Sequence, residues 1–178
     1  MDHNTLIETA LNCGAASAAV VPVEKIPFER EFRAACEDNI CGKYGTNWMC
    51  PPDVGDIDEM ISRAKSYKYA LVFQSIGQLE GSYDLKGMIA AAKNHQDIMT
   101  AIARDIQPTL GDSLFLGAGG CKICTRCGKP DDIPCRFPEK ATASLEAYGV
   151  SVAGLASASG LRYINGQNTV TFFGGVLF

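Results

Sequence analysis

Tyr69-Ala-Leu-Val-Phe-Gln-Ser-Ile76 decides the fold. Eight residues rich in Val, Ile and aromatics, without Gly or Pro, read as a strand buried on both faces. A helical pattern stands on either side. Residues 56–66 place Ile57, Met60, Ile61 and Ala64 on one face. Residues 84–106 carry Leu85, Met88, Ile89, Ala92, Met99, Ile102 and Ile106 as a stripe, ended by Pro108 and Gly111. His95 lies on or beside that stripe, where a packed histidine is the expectation rather than a metal ligand. Leu114-Phe-Leu-Gly-Ala118 is a second, shorter apolar strand. Strands alternating with helices give an α/β chain, here a mixed sheet with flanking helices.

Upstream, residues 3–13 read as a helix with Asn4 or Thr5 as its cap and Gly14 past its end. Ala18-Ala-Val-Val-Pro-Val23 reads as an edge strand, because Pro22 cannot donate to a ladder. Pro27 fits the first turn of a helix over residues 27–38, with Phe28, Phe32 and Ala35 on one side. Downstream, residues 143–149 read as a short helix stopped by Gly149, and Val150–Val152 as the start of a strand. Residues 161–178 read as a hairpin about Asn165-Gly166. That hairpin and the edge strand would be the surfaces to pair between subunits, although nothing requires it.

The 178 residues suit one domain, 1–178, with its own core. At 47% apolar and 20% charged residues the chain folds rather than stays disordered. A net charge of −4 argues against nucleic acid as a partner. No stretch approaches the ~18 apolar residues of a membrane span, and the start, Met-Asp-His-Asn-Thr, lacks the basic and apolar regions of a signal peptide. The expectation is a cytoplasmic protein. Disulfides are rare in that compartment, so eight cysteines need another reason.

Seven of the eight fall in two clusters. Cys121-Lys-Ile-Cys124-Thr-Arg-Cys127 sets three thiols at two-residue spacing, and Cys135 follows after seven more residues. Such a turn aims three sulfurs at one centre and leaves a fourth corner for a separate thiol, as a [4Fe–4S] cube needs. Paired C-x2-C units also hold zinc, so zinc stays open as an alternative. The second cluster is Cys36-x4-Cys41-Gly-x-Tyr44-Gly-x2-Trp48-x-Cys50-Pro-Pro, whose glycines and prolines exclude a regular element through most of it. Gly42 and Gly45 would let backbone N–H groups approach inorganic sulfur, and Tyr44 and Trp48 would shield the site. Gly117-Ala-Gly-Gly120 is better read as backbone beside a metal than as a phosphate turn, since no helix pattern follows it.

Cys36-x4-Cys41-Gly-x-Tyr44-Gly-x2-Trp48-x-Cys50-Pro-Pro, the Cys121/Cys124/Cys127 run, Pro134-Cys135-Arg136-x-Pro138, Ser144-Leu-Glu-Ala-x-Gly149-Val and Asn168-Thr-Val-Thr-Phe-Phe-Gly occur here in one order. In this the chain resembles the domain-of-unknown-function 2284 family, predicted metal-binding proteins of anaerobes. The resemblance implies a metal or iron–sulfur site on the seven clustered cysteines and implies no reaction. It departs at Thr142-Ala143, where the pattern has Arg-Pro, and Cys13 lies outside it.

Three functions fit these residues. One or two [4Fe–4S] clusters could serve electron transfer or redox support in anaerobic metabolism, with a redox partner protein. Seven thiols are one short of two fully thiolate-ligated cubes, so Cys13, another group or an open iron completes the set. Lys122, Arg126, Lys129 and Arg136 would then stabilise a reduced cluster or dock an acidic partner. Alternatively, an open iron makes an enzyme that binds a small anionic substrate, held by Arg136 or Lys43. The third reading is a zinc-stabilised binding module on Cys121, Cys124, Cys127 and Cys135. No other catalytic arrangement is present, since neither of the two histidines has a telling spacing.

Overall fold

The computed structural model describes residues 2–39 and 41–178. The apolar run at 69–76 is the heart of strand β2, Tyr69–Gln78. Its alternate residues serve two different cores. Ala70 and Val72 pack with Val21, Val23, Tyr148 and Leu155 on one face. Leu71 and Phe73 pack with Leu6, Ala10, Ile98, Ile102 and Ile106 on the other. A strand buried on both sides has no polar face to show, which is why its sequence does not alternate.

Strand β1, Ser17–Pro22, lies antiparallel on one side of β2, with Ser17 opposite Gln74 and Pro22 opposite Tyr69. On the other side runs β5, Thr169–Leu177, antiparallel from Ala70↔Leu177 to Gln78↔Thr169. Strand β3, Leu114–Gly117, pairs antiparallel with β5, and the two-residue β4, Ala143–Ser144, pairs parallel with β3. The sheet order is β1-β2-β5-β3-β4, a mixed α/β architecture in which β1 is an edge, as Pro22 requires.

Helices α1, His3–Asn12, and α4, Leu85–Leu110, supply the core beside Leu71 and Phe73. Helices α3, Ile57–Lys65, and α5, Val152–Ser159, supply the core beside Val72. Helix α2, Arg30–Glu37, packs against α3 and the turn at Glu146–Tyr148. No helix among the described residues is long and apolar enough to cross a membrane.

Several expectations are corrected. The cap of α1 is Asp2, whose Oδ1 accepts the Thr5 N–H at 3.0 Å. Helix α2 starts at Arg30 rather than Pro27, because residues 27–29 are extended along 149–151. The Pro27 carbonyl accepts Ser151 N–H at 3.2 Å, the Gly149 carbonyl accepts Glu29 N–H at 2.7 Å, and Phe28 bridges Val150. Helix α4 passes through Pro108 and stops at Gly111, where φ is +66°. A proline in the last turn forfeits one hydrogen bond without breaking the helix. The expected stripe of α4 is buried only from His95 onward, since Leu85 and Ile89 are exposed.

Residues 143–149 form β4 and a 3-10 turn, not a helix, because Leu145 N–H donates to the Gly117 carbonyl at 3.0 Å. Val150 makes a single bridge and α5 follows, capped by Ser151 Oγ on Gly154 N–H at 3.2 Å. The hairpin at 165–166 does not form. Residues 161–164 form no strand, and the Asn165 amide is turned instead to the Arg162 carbonyl and Thr171 Oγ1, each at 3.0 Å, so Tyr163 and Ile164 stay exposed.

Candidate metal centre

The first cysteine loop leaves the end of α2 and returns to α3. Cys36 stands half-buried in the last turn of α2, Cys41 is exposed, and Cys50 is buried. The loop closes on itself through its own turn residues. Asn39, at φ +52°, accepts Tyr44 N–H on Oδ1 at 3.0 Å. Gly45 N–H donates to the Pro51 carbonyl at 2.9 Å, and Cys50 N–H to the Asn47 carbonyl at 2.9 Å. Gly42 and Gly45 both have positive φ, near +67° and +65°, with no atom within 4 Å of where a Cβ would stand. The left-handed backbone asks for glycine here, and nothing crowds it.

The second loop runs from the end of β3 to β4. Cys121, Cys124, Cys127 and Cys135 are all half-buried. Gly128 accepts Ile133 N–H at 3.0 Å across the 3-10 turn Lys129–Asp131. A Cβ at Gly128 would lie 2.6 Å from the Ile133 carbonyl oxygen, so only glycine lets this turn close.

The two loops are clasped together. Buried Asn47 donates Nδ2–H to the Cys121 carbonyl at 3.0 Å, while its Oδ1 accepts Met49 N–H at 3.0 Å. Trp48 donates Nε1–H to the Ile133 carbonyl at 2.9 Å. Lys129 Nζ reaches Asp53 Oδ1 at 2.5 Å and lies over the Trp48 ring, 4.5 Å from its centre. Gly120 abuts Cys50, so that a Cβ there would lie 3.0 Å from the sulfur. Burial pushes the Cys50 thiol up to about 11, and the neighbouring thiols Cys41, Cys36 and Cys121 push it further the same way. Cys36 is raised too, by burial first, then by Glu146 and Cys41. Four cysteines from both loops therefore share one electrostatic neighbourhood.

The loops meet, but the sulfurs do not yet converge: among the described residues no three Cys, His, Asp or Glu side chains stand as a metal-ligand set. The donor chemistry present is thiol, from two loops held edge to edge, and it suits a soft or borderline metal. Cys13 is elsewhere. It ends α1 with its Sγ 3.5 Å from Asp105 Oδ2 of α4, and burial followed by Asp105 raises its thiol. His95 is packed in the core between Phe73 and Phe172, with Nδ1 hydrogen-bonded to Ser75 Oγ at 2.9 Å.

The basic rim is largely spent internally. Lys129 is taken by Asp53, Arg126 Nη2 meets Asp131 at 3.0 Å, and Arg136 Nη1 donates to the Arg126 carbonyl at 3.2 Å. Sequence reasoning did not single out Arg33, Asn47 or Asp53. Arg33 is buried in α2 one turn before Cys36 and donates Nη2–H to the Gly55 carbonyl at 2.6 Å, with Nη1 unpartnered. The one signal for Asn47 and Asp53 was their place among the turn residues of a cysteine loop.

No curated protein and no solved structure matches the chain. The family described as "predicted metal-binding protein (DUF2284)" matches residues 19–178. That span holds both clasped loops and all seven of their cysteines, and leaves out α1 with Cys13. The chain belongs to this DUF2284 family of predicted metal-binding proteins.

Proposed function

We propose that the clasped loops hold one or two [4Fe–4S] clusters and that the protein serves electron transfer or redox support in metabolism without oxygen. One observation carries this reading. Two cysteine loops, joined by a bond between residues 74 apart in sequence, lie side by side at one end of the sheet. Cys36, Cys41 and Cys50 would hold one cluster, and Cys121, Cys124, Cys127 and Cys135 the other. A bound cluster supplies reversible one-electron chemistry. The chain's own part is to position thiols, exclude water with Trp48 and Met49, and set charge nearby. Buried Arg33 is the cation nearest Cys36 in sequence and offers its free Nη1–H, which would stabilise negative charge on that side. Eight unpaired cysteines suit a reducing compartment such as the cytoplasm.

The test is the iron, zinc and acid-labile sulfide content of protein purified without oxygen, with its visible spectrum. About eight irons and eight sulfides per chain support two cubes, and about four of each support one. Zinc without sulfide overturns the redox reading.

A further inference from the structure

Strand β4 covers β3 for only two residues, Leu116↔Ala143 and Gly117↔Ser144. Leu114 and Phe115 pair with β5 on one side, and on their other side no strand follows among the described residues. A cavity of about 650 Å³ lies at this open edge. Leu114, Phe115, Ala103 of α4 and buried Tyr148 line it, and Arg63 of α3 stands on its boundary. Met49 and Ile123 line it as well, and they are the immediate neighbours of Cys50 and Cys124. The cavity therefore touches both cysteine loops.

Its charge is one-sided. Arg63, Arg104 and Lys140 line it against a single carboxylate, Glu139. Arg104 is tied to Asp105 at 2.6 Å, whereas Arg63 takes part in none of the ion pairs among the described residues. Tyr67 and Tyr148 stand beside Arg63, and Asp112 acts on it from beyond ion-pair distance. A guanidinium with no directly paired carboxylate, beside apolar lining and an unpaired strand edge, fits a molecule with an acid group and an apolar body.

We propose that the cavity at the open edge of β3 binds a small organic acid, its carboxylate on Arg63 and its apolar body over Leu114, Phe115 and Ile123, against the cysteine loops. The site goes beyond the cluster reading and stands whichever metal the loops hold. It places the anion on Arg63, where the sequence offers Arg136 or Lys43.

Benzoate and its uncharged counterpart benzamide are the probes, titrated by calorimetry into metal-loaded wild type, Arg63→Gln, Arg63→Lys and Ala103→Trp. Wild type is expected to bind benzoate about tenfold more tightly than benzamide, the worth of one charge-assisted pair. Arg63→Gln should erase that preference, Arg63→Lys should keep part of it, and Ala103→Trp should abolish binding of both. Equal binding of the two probes by wild type, no binding of benzoate, or an unchanged preference in Arg63→Gln overturns the proposal. Iron and sulfide measured on the same samples report on the clusters separately. Absent sulfide with intact benzoate preference would sink the cluster reading and leave this one standing.

Discussion

A Cβ at Gly120 would lie 3.0 Å from the Cys50 sulfur, and one at Gly174 would lie 2.5 Å from the Phe73 ring. The same added methyl acts on different things. Gly174→Ala overpacks the core and should cost about 1–3 kcal/mol, read as a lower denaturation midpoint. Gly120→Ala presses on a loop and should lower metal content in anaerobic preparations while the melting temperature barely moves. A Gly120→Ala protein with full metal content would deny that contact any role. His95 gives the pH dependence. Burial holds its folded-state value near 4 against an ordinary 6.5. The unfolded chain therefore takes up a proton first, and stability is complete above about 6.5 and falls as pH drops toward 4. A shift of that size amounts to roughly 3 kcal/mol, and in urea titrations His95→Phe should flatten the acid limb between these pH values. At this scale the sequence shows which cysteines are clustered, since their spacing is written in the chain. It was silent on Arg33 and Asn47, because a buried partner across 22 or 74 residues leaves no local pattern.

Among the elements, the link between the loops adds one half-buried ion pair to the Asn47 and Trp48 hydrogen bonds. The Lys129 and Asp53 side chains are 21% and 15% exposed, against 65% and 55% for Arg30 and Asp58. Water screens the exposed pair, which should be worth about 0–1 kcal/mol in a double-mutant cycle. Lys129→Met leaves the Asp53 carboxylate without its partner, with Oδ2 already lacking a hydrogen bond, and should lower the urea midpoint more than loss of the Arg30–Asp58 pair does. Asp53→Asn together with Lys129→Met should recover part of that loss, and a purely additive cycle would show that the pair does not couple. The elements also show where reading by pattern succeeds. Strand β2 was legible because both faces are buried and its run is unbroken. Helix α5 was not, since Val-Ala-Gly-Leu-Ala-Ser-Ala-Ser is small and apolar nearly all round and carries no stripe. The hairpin at Asn165-Gly166 was a sound local signal that did not decide the outcome, because the Asn165 side chain bonds Arg162 and Thr171 in a turn and residues 161–164 join no ladder.

For the whole molecule, both cores are built from strands and helices that lie outside the cysteine loops, apart from Cys50 and its neighbours. Metal removal by a chelator should therefore raise amide hydrogen exchange in residues 38–56 and 118–142 and leave β2 and β5 protected. Collapse of protection across the sheet would make the metal part of the fold itself. The mixed sheet and its flanking helices were legible from the alternation of patterns along the chain. The strand order was not, because β5 reaches β2 across about ninety residues and no short-range signal encodes that choice. That order also has a meaning in time. The strand in the middle of the sheet is the last in sequence, so a chain still being synthesised holds β1–β2 on one side and β3–β4 on the other with nothing between them. Both cysteine loops leave the ribosome before the strand that fixes their separation. Metal delivered before β5 docks would meet loose thiols, and metal delivered afterwards would meet a finished pair of loops.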